Sequence, residues 1–134
     1  MAINAVCSSF KLEFLQGIHV FGTDTIKLAL YSNSATIDQN TTAYTTSGEL
    51  VGGNYTAGGK ILTLQSGFPK LNPSPIGEIP AGKYTLLNFE DCVFVNLSAP
   101  SIGCGLIYNA SKENRAICVL DFGGNYQAGG IDFR

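Results

Sequence analysis

The stretch that decides the fold runs from Ile102 to Phe122 and reads IGCGLIYNASKENRAICVLDF. Two runs rich in β-forming residues, Ile102–Asn109 and Arg115–Phe122, flank the polar tetrapeptide Ser-Lys-Glu-Asn at 111–114. Such a tetrapeptide suits a type I turn or a slightly longer connection between paired strands. The sequence therefore predicts a β-hairpin here.

The hairpin leads directly into a glycine-rich octapeptide that also occurs earlier in the chain. Residues 52–59 read GGNYTAGG and residues 123–130 read GGNYQAGG, so that only Thr56 and Gln127 differ. Paired glycines can adopt positive φ, so each copy is predicted to be a tight loop that holds a tyrosine, in equivalent places on two β-units. Neither copy carries a group for acid–base or nucleophilic chemistry near neutral pH. The candidate protein-contact residues on these loops are Asn54, Tyr55, Asn125 and Tyr126.

A single helix is expected, near the N-terminus. Phe10, Phe14, Leu15 and Ile18 form an apolar stripe on one helical face, which predicts a helix over about residues 9–20. Beyond it the period changes to two, and Thr25–Tyr31 alternates as a half-buried strand.

Further strands are predicted at 60–64, 84–89, 92–97 and 131–133. Residues 36–47 are expected to form a polar surface excursion with Tyr44 as its anchor. The segment 65–82 holds four of the five prolines and cannot form a continuous ladder, so it is expected to be an extended loop. Together the elements predict one mainly β domain over residues 1–134, a β-sandwich or jelly-roll-like fold with one N-terminal α-helix.

The composition bears on the kind of partner. Charged residues make up 13% of the chain, against about 25% in ordinary globular proteins. A surface with so little charge is expected to meet other protein, although a monomeric β-domain covered by Thr, Ser and Asn stays open. The net charge of −2 argues against nucleic acid or an anionic membrane as partner. No apolar stretch approaches the ~20 residues that span a bilayer, and the lack of a secretory signal points to folding in the cytosol.

The reactive groups argue against an enzyme, a cofactor site or a metal site. His19 is the only histidine, and its place at the helix end near the C-terminal dipole explains it. Glu90 and Asp91 are adjacent and would point to opposite faces of an extended chain, which does not suit a glycosidase pair. Dispersed thiols are expected to be free and buried, at Cys7, Cys92, Cys104 and Cys118. No catalytic, cofactor-binding or metal-ligating residue is predicted.

Two stretches carry a family resemblance. One comprises residues 10–19, 26–36, 41–44, Glu49 and 55–59, and the other is residues 105–123, GLIYNASKENRAICVLDFG. Together they resemble a family of small virion structural proteins encoded by tailed bacteriophages. The resemblance covers most of the chain but not the proline-rich segment 65–82.

The resemblance implies an accessory shell component without catalytic residues, namely a cement or decoration protein seated on the major capsid protein. We therefore expect a protein made in the bacterial cytoplasm and located on the capsid surface of the virion, where it binds the major capsid protein and copies of itself as a homo-oligomer. Two alternatives stay open. One is a tail, neck or fibre-attachment component, and the other is a glycan-binding module that stacks sugars on Tyr55 and Tyr126.

Overall fold

The structure, a computed structural model, describes residues 5–71, 73–75, 77–78, 80–83 and 85–133, without the side chains of residues 125 and 131–133. Within this part the chain is mainly β with one helix, as predicted. The elements in chain order are β1 (Ala5–Val6), α1 (Ser8–Leu15), β2 (Ile26–Tyr31), β3 (Lys60–Ile61), β4 (Lys70–Leu71), β5 (Thr85–Leu86), β6 (Phe94–Asn109) and β7 (Arg115–Phe133).

The predicted hairpin is confirmed and forms the centre of the main sheet. Its strands β6 and β7 lie in an antiparallel sheet of order β1-β7-β6-β2-β3. The turn is closed by hydrogen bonds from the backbone N–H of Lys112 to the carbonyl of Asn109 (3.2 Å) and from that of Arg115 to Lys112 (3.2 Å). Both strands are longer than predicted: β6 absorbs part of the strand expected at 92–97, and β7 absorbs the one at 131–133.

The length of β6 and β7 divides the hairpin into two parts. β2 pairs with β6 only over residues 104–109. Beyond it, residues 94–102 of β6 and 126–133 of β7 continue as a two-stranded ribbon, here called the distal ribbon. Several register shifts bend this ribbon, as β-bulges do.

Two hydrophobic cores lie on opposite faces of the main sheet. Successive side chains of a strand point to opposite faces, so β2 directs Ala29 and Tyr31 to one core and Leu28 and Leu30 to the other. The helix-side core contains Cys7, Ala29, Tyr31, Ala35, Ile37, Cys104, Leu106, Tyr108, Ala116 and Val119, with Phe10 of α1 packed against it. The hairpin-side core contains Leu30, Leu50, Tyr55, Phe94, Leu97, Ala99, Ile102 and Ala128.

The main sheet is open. Among the described residues it ends at β1 and β3, which have two residues each. The sheets are therefore not closed, and the finer prediction of a sandwich or jelly roll is not confirmed.

The helix differs from its prediction in length and in orientation. It spans Ser8–Leu15 rather than about 9–20, and Gly17 at φ 74° lies just beyond its end. The side chains of Phe14 and Leu15, which belong to the predicted apolar stripe, are exposed, whereas Glu13 is buried. The physical reason is that Glu13 finds hydrogen-bond partners inside the protein, described below.

The proline-rich segment is not a plain loop. β4 pairs with β5 in a separate antiparallel sheet of two strands. Towards the body, Leu64 forms a bridge with Phe89, so residues 64–71 and 85–89 face each other as the two sides of an arm. The prolines at 69, 73, 75 and 80 lie outside β4 and β5, which lets the ladder form around them. The strands expected at 60–64 and 84–89 are shorter than predicted, and Tyr84 lies outside the described residues.

The excursion at residues 36–47 follows its prediction. The ring of Tyr44 stacks on that of Tyr108 with 4.8 Å between the centroids. This contact anchors the segment to the helix-side core.

Candidate partner-binding surface

The first copy of the octapeptide is a tight loop, as predicted, and its backbone touches β2 and β6. A Cβ atom at Gly53 would lie 1.7 Å from the carbonyl oxygen of Ser98, and one at Gly59 would lie 1.9 Å from that of Leu28. Both glycines have positive φ, 60° and 79°. Close approach and backbone conformation therefore both require glycine at these two positions.

Tyr55 in this loop points inward. Its side chain is 8% exposed, and its ring stacks on Phe94 at 5.9 Å. The hydroxyl donates to Oε2 of Glu49 (2.7 Å) and accepts from the backbone N–H of Leu30 (3.1 Å). Tyr55, one of the candidate contact residues, is thus directed into the protein, where the partners of its hydroxyl lie.

A buried carboxylate, Glu49, organises the loop. Its oxygens accept hydrogen bonds from the hydroxyls of Tyr44 (2.6 Å) and Tyr55 (2.7 Å) and from the backbone N–H of Gly58 (2.9 Å). Burial raises the pKa of Tyr44 and Tyr55, and the hydrogen bonds to Glu49 raise it further, because a phenolate beside a carboxylate is unfavourable. Both phenols therefore stay protonated donors that fix the loop.

The second copy does not form an equivalent loop. It lies within β7, where Tyr126 is the partner of Ile102 and Asp121 is the partner of Cys104. Residues 122–125 thus oppose only Gly103 and form a bulge, whereas residues 126–130 continue in the distal ribbon. The prediction of two equivalent loops is wrong, because pairing with β6 extends β7 through the second copy.

The candidate contact residues accordingly differ in position. The side chain of Tyr126 is 48% exposed, and Asn54 is exposed while its Nδ2 donates to the carbonyl of Val95 (3.2 Å). The side chain of Asn125 lies outside the described residues. A role in partner contact stays a prediction for Asn54, Asn125 and Tyr126.

The two copies nevertheless meet at the same stretch of β6. Gly53 of the first copy accepts a hydrogen bond from the backbone N–H of Ser98 (2.8 Å), and Gly129 of the second copy is the strand partner of Ser98 on the opposite edge. Residues 51–56, 95–100 and 126–130 form one region around Ser98, here called the repeat surface.

The three ranges of the repeat surface contain no Asp, Glu, Lys, Arg or His, and Lys60 lies at their border, where it lines a small groove with Asn54, Thr56 and Val95. Val51, Val95 and Tyr126 are exposed on it. A shallow groove of about 620 Å³ is lined by Ser98, Ala99, Pro100, Gln127, Ala128 and Gly129. This surface offers apolar contacts and neutral hydrogen-bonding groups, which suits another protein rather than a charged ligand.

The only histidine belongs to a buried polar network. Nε2 of His19 lies 2.8 Å from Oε1 of Glu13, and Nδ1 lies 3.0 Å from Nδ2 of Asn109. Oε2 of Glu13 accepts from Nη1 of Arg115 (2.9 Å), and Nδ2 of Asn109 also donates to Oδ2 of Asp24 (2.8 Å). His19 is thus held by side chains of α1 and β6, not by the helix dipole as the sequence suggested. The network fastens α1 to the β6–β7 hairpin.

The charges in this network are stabilised. Burial raises the pKa of Glu13, but hydrogen bonds from His19 and Arg115 outweigh it and hold the pKa below its usual value. Burial likewise raises the pKa of Asp24, and hydrogen bonds from Asn109, the backbone of Val20 and Lys112 lower it overall. Both carboxylates are therefore ionised near neutral pH and serve as acceptors.

The four cysteines are free thiols; Cys7 and Cys104 are buried as predicted, whereas Cys92 and Cys118 are partly exposed. Burial raises the pKa of Cys7, Cys104 and Cys118 to about 11. In the part of the chain that the structure describes, no group of three or more His, Cys, Asp or Glu residues could hold a metal ion. No helix in that same part is long and apolar enough to cross a membrane.

No protein-family model matches the chain, and no match was found among curated proteins or among solved structures.

Proposed function

We propose that the protein is a virion structural protein of a tailed bacteriophage, a capsid cement or decoration protein that binds the major capsid protein and stabilises the shell. The observation that carries the proposal is the uncharged repeat surface, which exposes Val51, Val95 and Tyr126. The kind of partner comes from the resemblance to small phage virion proteins, which is carried by residues 10–19, 26–36, 41–44, Glu49, 55–59 and 105–123.

The chemistry of the repeat surface suits permanent contact with protein. Burying a charge without a partner is costly, so a face without charged groups can be covered completely at little electrostatic cost. Its backbone is fixed by Gly53 and by the hydrogen bonds of Tyr55 with Glu49 and Leu30. A rigid surface loses less conformational entropy on binding than a mobile one.

A cement protein works by binding across neighbouring coat subunits and resisting the outward pressure of packaged DNA. Each contact can be weak, because the symmetry of the shell repeats it many times. We include in the proposal that copies associate on the shell as a homo-oligomer. We also include the β-sandwich or jelly-roll-like arrangement, in which the distal ribbon would act as a second layer over the hairpin-side core.

Binding to coat shells that lack the protein tests the proposal. Wild-type protein should co-sediment with the shells and raise the temperature at which they open. Val95→Asp and Tyr126→Asp, which place a charge on the repeat surface, should weaken binding at least about tenfold, roughly 1.4 kcal/mol. Ser47→Asp places the same charge on an exposed loop elsewhere and should bind like wild type. Wild-type protein that neither binds the shells nor protects them from heat would contradict the proposal.

The two alternative functions predict different observations. A tail, neck or fibre-attachment component would bind at one vertex of the virion rather than over the shell. A glycan-binding module would need exposed stacking rings, and the burial of Tyr55 removes one of the two that the sequence offered.

A further inference from the structure

The buried polar network fixes the protonation state of His19. Asn109 is fully buried, and its Oδ1 accepts a hydrogen bond from the backbone N–H of Ser111 (3.0 Å). Its Nδ2 therefore faces Oδ2 of Asp24 at 2.8 Å and Nδ1 of His19 at 3.0 Å, with one hydrogen for each. Because Nδ1 of His19 is then an acceptor, the ring proton lies on Nε2 and is donated to Oε1 of Glu13 (2.8 Å). In this arrangement His19 is neutral.

The charged groups around His19 already balance one another. The carboxylate of Glu13, on α1, is paired with Arg115 of β7 at 2.9 Å. The carboxylate of Asp24, in the segment before β2, is paired with Lys112 of the hairpin turn at 3.3 Å. The side chain of His19 is fully buried, so a second proton on its ring would add an unbalanced positive charge away from water.

Asn109 cannot adapt to a protonated ring. With its amide as it stands, the new N–H at Nδ1 of His19 would face the N–H of Nδ2, and two donors would meet. If the amide turned over, Oδ1 would face the carboxylate of Asp24 and Nδ2 would face the N–H of Ser111. Each arrangement leaves buried polar groups without partners, which is costly. A protonated His19 must therefore move away from Asn109.

Movement of His19 affects how α1 is attached. The ring of His19 packs against Phe10 of α1 with 4.9 Å between centroids, and its Nε2 is bound to Glu13 of the same helix. Asn109, by contrast, is the last residue of β6. The hydrogen bond between His19 and Asn109 therefore joins the helix to the hairpin, beside the ion pair of Glu13 with Arg115.

We propose that His19 is a proton-sensitive latch: a second proton on its ring breaks the bond with Asn109 and loosens α1 and residues 16–20 from the hairpin. The closed network excludes a proton that the loosened segment can bind, so falling pH favours the loosened form and neutral pH the closed one. The device does not depend on the proposed function.

The latch is expected to open before the carboxylates of the network are protonated. Histidine side chains generally take up their second proton between about pH 8 and 5. The pKa values of Glu13 and Asp24 are held below their ordinary values of 4.5 and 3.8, so both carboxylates stay ionised in that range. Mild acid should therefore loosen α1 while the β2–β6 ladder stays intact.

NMR on the wild-type protein tests the latch directly. His19 is the only histidine, so the ¹⁵N signals of its ring are identified at once. At about pH 8 they should show a neutral ring with the proton on Nε2. Amide hydrogen exchange, corrected for its intrinsic pH dependence, is then compared at about pH 8 and about pH 5.5. Protection of α1, including the N–H of Lys11, should fall at least about tenfold, while that of the β2–β6 ladder stays constant.

His19→Gln is the matched control. A glutamine amide can donate to Glu13 and accept from Asn109, but it takes up no proton in this range. In this variant the protection of α1 should be the same at both pH values. The ring signals and the exchange of the wild-type protein decide the proposal even without the variant.

Three results would overturn the latch. One is a ring of His19 that is charged, or protonated on Nδ1, at about pH 8. Another is unchanged protection of α1 in the wild-type protein while the ring takes up its second proton. The third is a loss of protection in His19→Gln as large as that in wild type, which would assign the acid response to other groups.

Discussion

The backbone of Gly53 is joined to that of Ser98 by a 2.8 Å hydrogen bond, which ties the first glycine-rich loop to the edge of the distal ribbon. On the opposite edge of β6, Ser98 pairs with Gly129 of the second copy, in β7. A repeat that looks like two separate loops in the sequence thus builds one surface in the fold. We propose that this surface around Ser98 is the one that contacts the coat shell.

Replacing Gly53 with alanine should be much more costly than replacing its neighbour Gly52. Both have positive φ, but a Cβ atom at Gly53 would collide with the carbonyl of Ser98, whereas Gly52 has open space. Gly52→Ala should cost about 1–2 kcal/mol for the left-handed backbone. Gly53→Ala should cost about 1–3 kcal/mol more for the steric conflict. Urea unfolding measures both, and equal losses would mean that Gly53 does not approach β6 as described.

The hydroxyls of the two repeat tyrosines should contribute very differently to stability. Tyr55→Phe leaves the backbone N–H of Leu30 and an oxygen of Glu49 without this partner, so we expect a loss of about 1–3 kcal/mol. Tyr126→Phe changes a half-exposed side chain and should stay within about 0.5 kcal/mol of wild type. Thermal unfolding of both variants distinguishes them, and a neutral Tyr55→Phe would contradict the buried contact with Glu49.

Acid should destabilise the protein through the network around His19. The pKa values of Glu13 and Asp24 are lowered from ordinary values of 4.5 and 3.8, so their contribution is full above those values and is lost as pH falls through the lower folded values. The free energy of unfolding should therefore fall with pH below about 4.5. Glu13→Gln should be less stable at neutral pH and should show a shallower fall. A slope identical to that of wild type would exclude Glu13 from the acid response.

The thiols should react slowly in the native protein. Burial raises the pKa of Cys7, Cys104 and Cys118 to about 11, so little thiolate forms at pH 8. A disulfide reagent such as DTNB should label these three residues slowly before denaturation and all four cysteines rapidly in guanidinium. Rapid native labelling of Cys104, found by peptide mapping, would contradict its burial.

The features that were predicted correctly from the sequence depend on residues close together in the chain. The β6–β7 hairpin and the anchor at Tyr44 rest on composition and turn residues close together in the chain, and both are confirmed. The orientation of α1 was missed because Arg115, a partner of Glu13, lies 102 residues away. No periodicity within residues 9–20 can show that a glutamate is more favourable inside than a leucine.

The two octapeptide copies also show that local sequence alone does not predict how a segment packs. Copies that differ at one position predict similar loops, yet one is fixed by Glu49 and the other is extended by pairing with β6. Both copies follow a carboxylate closely, Glu49 before the first and Asp121 before the second, so their neighbourhoods look alike in the sequence. Which strand edge each copy meets is decided by contacts distant in the chain.

The most direct test of the central claim is a cryo-EM reconstruction of the virion that carries this protein. The account predicts copies distributed over the shell, each with the region around Ser98 and Tyr126 against a coat subunit. Density confined to a single vertex, or copies on the shell whose repeat surface faces solvent, would contradict it.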